Sequence, residues 1–126
     1  MNWKIDIATA LSCAEHEIDL LVRTCDANRR SFEETYQWPG VGQIATAPDW
    51  SPERVCGQGL HAIHLDMQSN WDLLNWGKGA RWLVVAAVKK EIVDLGGKCK
   101  FPRALVMYDT GEAHLAAWYI IGRLFP

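Results

Sequence analysis

The run Trp82-Leu83-Val84-Val85-Ala86-Ala87-Val88 is apolar at every position. It is far too short to cross a bilayer, which takes about 20 apolar residues. A short apolar run of this kind reads as a buried strand. A strand with one wet face alternates apolar and polar side chains, whereas one covered on both faces does not. Residues 81–88 are therefore expected as a central strand with apolar layers above and below, and the rest of the chain must supply those layers.

The flanking sequence supplies them. Ile7, Ala8, Leu11, Ala14, Glu15 and Ile18 repeat near the helical period, which predicts a short helix over 7–18. Residues 19–25 read as a strand, 26–31 as a polar turn and 32–38 as a further strand ended by Pro39-Gly40. Residues 42–57 are expected as mostly loop, with Pro48 and Pro52 holding Ala47 and Ser51 out of the helical region. A strand is expected over 60–65. Ser69-Asn70-Trp71-Asp72 has capping-box spacing, which predicts a short helix through Asn75, ended by Gly77-Lys78-Gly79. Strands are expected over 91–95 and 104–108, with Gly96-Gly97 supplying the positive φ of a tight turn. Asp109 reads as an N-cap with Glu112 at the third helical position. The helix it opens runs to about Leu124, with Ala113, Ala116, Ala117, Ile120 and Leu124 on one face. The expected fold class is α+β: a mainly antiparallel sheet, helices at the N- and C-terminal ends, and a long ordered central loop.

At 126 residues the chain is expected to form one domain. A formal net charge of −2 argues against nucleic-acid binding by bulk charge. Cys13, Cys25, Cys56 and Cys99 are widely spaced, and no leading basic-apolar-small signal is present. Reduced thiols in a cytoplasmic protein are the expectation, with no membrane segment and no cofactor.

The tract Asp49-Trp50-Ser51-Pro52-Glu53-Arg54-Val55-Cys56-Gly57-Gln58-Gly59-Leu60-His61 packs turn residues, an indole, a thiol and an imidazole into one irregular stretch. Loops of this length in a small domain are uncommon unless they serve a function.

Three blocks carry a resemblance. The first is Leu21-Val22-Arg23-Thr24-Cys25-Asp26, with Ser31 and Trp38-Pro39. The second is Pro48-Asp49-Trp50, Cys56-Gly57 and Gly59-Leu60-His61. The third spans Ala80, Trp82-Leu83-Val84-Val85, Val93-Asp94-Leu95-Gly96-Gly97-Lys98, Lys100-Phe101-Pro102-Arg103 and Val106-Met107-Tyr108. Together they resemble a little-characterised family of small bacterial and phage domains, over about residues 19–120. The resemblance implies a single domain and brings no activity with it. The chain departs from the pattern after His61, where a glycine- and tryptophan-rich stretch is replaced by Ala62-Ile63-His64-Leu65-Asp66, and in its added N-terminal helix.

Several constellations compete for a role. Cys56, His61 and His64 have zinc-like spacing, with Cys99 or Cys25 as the fourth ligand. Against this, His61 and His64 lie three apart on an expected strand and so point to opposite faces. Arg23, His61 and Glu112 resemble the layout of ADP-ribosyltransferases: an arginine fork for phosphate, a central strand gripping a nicotinamide dinucleotide, and an acid polarising the ribose. Glu112 is equally explained as a helix cap. Cys56 beside His61 or His64 has the makings of a thiolate pair, without the motif of any known cysteine enzyme. Lys98, Lys100 and Arg103, with Trp76 and Lys78 nearby, form a candidate anion-binding edge; alternating lysines also protect an edge strand from aggregation. Trp50, Trp71 and Trp76 lie on or beside loops, where indoles anchor interfaces if exposed. The reading these favour is a binding or regulatory module acting on a protein or other macromolecular partner, a protein first, through a Trp-rich loop surface. Homodimerisation, an ADP-ribosyltransferase-like enzyme and a zinc-stabilised domain are the alternatives.

Overall fold

The computed structural model describes residues 3–31 and 36–125. Its elements in chain order are α1 (Trp3–Leu11), β1 (Ile18–Cys25), β2 (Ile44–Thr46), β3 (Leu60–Ala62), β4 (Arg81–Val88), β5 (Val93–Asp94), β6 (Cys99–Phe101), β7 (Arg103–Thr110) and α2 (Ala113–Leu124). Short 3-10 turns occupy Glu15–Glu17, Trp71–Leu73 and Lys89–Glu91. The fold is α+β, with antiparallel pairing throughout both sheets.

One sheet has the order β1-β4-β7-β2 and the other β3-β6-β5. β4 is central, as its composition requires. Its alternation splits it between two cores. Trp82, Val84, Ala86 and Val88 join α1 and α2 residues on one face, including Leu11, Ala116 and Ile120. Leu83, Val85 and Ala87 join Leu60, Ala62, Cys99 and Phe101 of the second sheet on the other. Helices therefore cover one face of the long sheet and the small sheet covers the other. The two sheets are stitched by paired bonds between Val22 and Ile63, each 2.9 Å, and β3 sits beside β1 for that reason. Gly96 and Gly97 both take positive φ in the β5–β6 hairpin, where Leu95 N donates to the Lys98 carbonyl at 2.8 Å.

Several expectations are corrected. The N-terminal helix ends at Leu11, not at 18, because Ser12 adopts φ 53 and Ile18 is drawn into register with Val88. Residues 44–46, expected as loop, pair with β7. The strand at 60 stops at Ala62, with Ile63 making only the bridge to Val22. Phe32 to Thr35 of the expected 32–38 strand lie outside the described residues; Gln37 bridges Arg30. At the capping box, Asn70 rather than Ser69 is the cap, accepting from Asp72 N. Asp109 is not a cap either: it stays in β7 because Thr110 pairs with Trp82. Glu112 precedes α2 and caps nothing with its side chain. Leu124 is 53% exposed rather than on the buried face. Lys100 does not protect an edge, since β6 is the middle strand of its sheet, and Lys98 lies in the hairpin turn that precedes it.

Candidate functional site

A cleft of about 550 Å³ opens between the 48–61 loop and the C-terminal part of β1. The loop has a definite shape. Ser51 N donates to the Gln58 carbonyl at 3.0 Å, and Arg54 Nε donates to the Asp94 carbonyl at 2.7 Å, fastening the loop to the β5–β6 hairpin. Gly59 lets the chain close over Trp50: a Cβ there would lie 3.0 Å from two atoms of the indole. Across the cleft, Thr24 Oγ1 accepts from Asn75 N at 2.6 Å, which brings Leu73 and Leu74 to the opposite wall.

Arg23 is the central charged group. It sits on β1, and among the described residues all of its hydrogen bonds go to main-chain carbonyls. Nε and Nη2 donate to Thr24 O at 3.1 and 2.9 Å, and Nη1 donates to His61 O at 3.0 Å. Its guanidinium lies 4.7 Å from the centre of the Trp38 ring. Among the described residues no carboxylate pairs with it. Burial pulls its pKa down to about 10, so it is still a cation at neutral pH.

His61 shares the cleft. Its Nε2 accepts from Gly57 N at 3.3 Å, so the neutral ring carries its proton on Nδ1. Burial, then the positive charges of Lys98, Arg23 and Lys100, push its pKa down to about 4. Lys98 reaches across to Cys56, with Nζ 2.8 Å from Sγ. Lys100 is fully buried beneath the loop, 3.4 Å from the Gly57 carbonyl and 5.5 Å from the centre of the Trp50 ring.

The residues singled out from sequence therefore fall into separate groups. Arg23, His61, Cys56 and Lys98 come together at the cleft. Glu112 is not among the cleft residues; its carboxylate lies 3.2 Å from His114. Cys56, His61 and His64 take three different partners, His64 binding Asp19 at 2.9 Å. Among the described residues no three His, Cys, Asp or Glu side chains converge as a metal would need. Cys25 and Cys99 are buried, with thiols pushed by burial up to about 11 and about 12. Arg103 leaves the basic strip to bind Glu91 and the Leu11 carbonyl.

The indoles divide as well. Trp50 is half-buried against the core between the sheets. Trp71 packs at the helix side and donates to Asp66 O at 3.0 Å. Trp76 is 59% exposed, edge-on to Trp82. Sequence reasoning missed Tyr36 and Trp38 as cleft residues. Their spacing of two, beside a buried strand, was the available signal, since such residues share a face; the rings meet edge-on at 5.5 Å.

No helix among the described residues is long and apolar enough to cross a membrane. No curated protein and no solved structure matches this chain. A family profile described as "Domain of unknown function (DUF7666)" matches residues 20–117, which contain the whole cleft and both sheets apart from the first two residues of β1, and the chain belongs to that family.

Proposed function

We propose that this domain is a binding module whose working surface is the cleft, and that its ligand is a compact anion of nucleotide size. The observation that carries this is Arg23, a half-buried guanidinium in the wall of the cleft that has no ion-pair partner among the described residues, although Asp49 lines the same cleft. Buried charges are normally paired, because desolvating a lone ion is costly. An arginine held by carbonyls, with no counter-ion among the described residues, is suited to an incoming phosphate or carboxylate. Lys98 adds a second cation on the rim, and a neutral His61 presents a polar face without competing for the anion. The volume lies within the usual range of small-molecule sites, roughly 300–1,000 Å³.

Thermal denaturation tests this with ADP, ADP-ribose and inorganic pyrophosphate as separate probes. A ligand that binds only the folded state raises the melting temperature by mass action. Wild-type protein should be stabilised by at least one nucleotide, and Arg23→Met should not. No stabilisation by any of the three would end this reading.

The adjacency of Arg23 and His61 also favours a second reading, an ADP-ribosyltransferase-like enzyme acting on a nicotinamide dinucleotide. It requires an acid near the ribose, the role that sequence assigned to Glu112. Release of free nicotinamide from NAD, abolished by Glu112→Gln, separates transfer from binding alone.

A further inference from the structure

The mouth of the cleft brings together a thiol and an ammonium 42 residues apart in sequence. Cys56 is the exposed cysteine of the four; Cys13 is half-buried and the other two are buried. The Arg54 bond to Asp94 O holds the loop on the hairpin that carries Lys98, and Lys98 Nζ then lies 2.8 Å from Cys56 Sγ. Such a separation is a charge-assisted contact. Trp38, in the wall of the same cleft, is fully buried, and among the described residues its indole N–H has no hydrogen-bond partner.

We propose that Cys56 and Lys98 form a modification site at which hydroperoxides oxidise the cysteine to a sulfenic acid. The thiolate sulfur attacks the hydroxyl oxygen of the peroxide. An S–O bond forms and the O–O bond breaks; sulfur loses two electrons and the peroxide gains them. The departing hydroxide or alkoxide takes a proton from the Lys98 ammonium and leaves as water or alcohol, and the amine then regains a proton from solvent. The thiolate is the reacting species, so the pair matters first through the anion it stabilises. The Lys98 hydrogen bond and charge, with Lys100 behind, hold the Cys56 thiol below its ordinary pKa. Burial raises that of Cys13, and those of Cys25 and Cys99 still more. Lys98 touches the sulfur and passes a proton to the departing oxygen, and so is a catalytic residue of this step.

The test uses reduced, purified chain treated with equimolar hydrogen peroxide at neutral pH in the presence of dimedone, with each cysteine followed by peptide mass spectrometry. Cys56 should acquire the sulfenic-acid label ahead of Cys13. Lys98→Met should slow its labelling about fivefold, and Lys98→Arg should restore most of the rate. The rate of iodoacetamide alkylation against pH should move to higher pH in Lys98→Met, which a merely structural lysine would not cause. Equal labelling of Cys56 and Cys13 in the wild-type protein overturns the proposal, as does an unchanged Cys56 rate in a folded Lys98→Met variant. If circular dichroism shows that variant unfolded, the wild-type comparison alone decides. None of these readouts depends on anion binding at Arg23.

Discussion

Arg23 donates a 3.0 Å hydrogen bond from Nη1 to the main-chain carbonyl of His61, and so ties the edge strand of the long sheet to the edge strand of the small one. The bond lies one residue beyond Val22 on β1 and two residues before Ile63, extending the junction into the cleft. Removing the side chain should therefore affect both stability and binding. Charge-assisted hydrogen bonds contribute about 1.5–3 kcal/mol each. Relief of the buried charge works the other way: a pKa held down to about 10 corresponds to about 3 kcal/mol. The bonds outnumber that relief. Arg23→Met is expected to lose about 2–6 kcal/mol in urea unfolding, together with the nucleotide-dependent rise in melting temperature. A variant as stable as wild type would show that the junction does not need the guanidinium.

His61 makes stability depend on acid. Its folded pKa, about 4, lies below the 6.5 of an unperturbed histidine. Between those values the unfolded chain binds a proton that the folded one refuses, so stability falls as pH drops from 6.5 toward 4. His64 acts in the opposite sense. Its bond to Asp19 raises its pKa, a contribution fully present below the unfolded pKa and lost as pH rises through the folded one. In His61→Gln the amide oxygen can still accept from Gly57 N, and the acid loss should flatten. Urea midpoints measured across pH 4–7 check this; an unaltered slope would assign the acid sensitivity elsewhere.

Gly59 is required by its neighbour rather than by its φ. A methyl group there would meet the Trp50 ring at 3.0 Å and the Lys100 side chain at 3.4 Å. The indole is half-buried and cannot retreat into the sheet behind it. Overpacking of this kind costs about 1–3 kcal/mol. Gly59→Ala should lower the melting temperature and weaken ligand binding, because the loop that forms the cleft wall is displaced. Gly122, where an added Cβ meets nothing within 4 Å, is the control: Gly122→Ala should leave binding unchanged.

The elements legible in the sequence are those whose signal is local. β4 declares itself by a continuous apolar run, and the β5–β6 hairpin by Gly96-Gly97, because each needs no knowledge of a distant partner. β2 has no such signal. Its burial is exposed-buried-exposed over three residues, and only pairing with β7 makes it a strand. Asp109 fitted a capping pattern, yet pairing carried β7 to Thr110, and its carboxylate binds Arg81 at 2.8 Å instead. The site follows the same division. The 49–61 tract was visible as an ordered loop leading to an imidazole. The junctions that make it a cleft, Arg23 to His61 and Cys56 to Lys98, join residues 38 and 42 positions apart. Spacing along the chain gives no hint of such pairs, and for the same reason Arg103 was grouped with lysines that it does not accompany.

Arg103 holds the N-terminal helix in place. Nε and Nη2 each donate to the Glu91 carboxylate at 3.1 Å, and Nη2 also donates to the Leu11 carbonyl at 2.7 Å. That carbonyl ends α1, where the last turn leaves acceptors without helical partners and where a cation is favoured by the helix dipole. The bidentate pair orients the guanidinium, and the pair together keeps α1 over the face that carries Leu11 in the core. Arg103→Met should cost about 1–3 kcal/mol, and amide exchange should quicken in residues 7–11 while the cleft strands stay protected. Glu91→Gln should cost less, because the bond to Leu11 survives it. A uniform loss of protection across both sheets would mean that Arg103 supports the whole fold and not the docking of one helix.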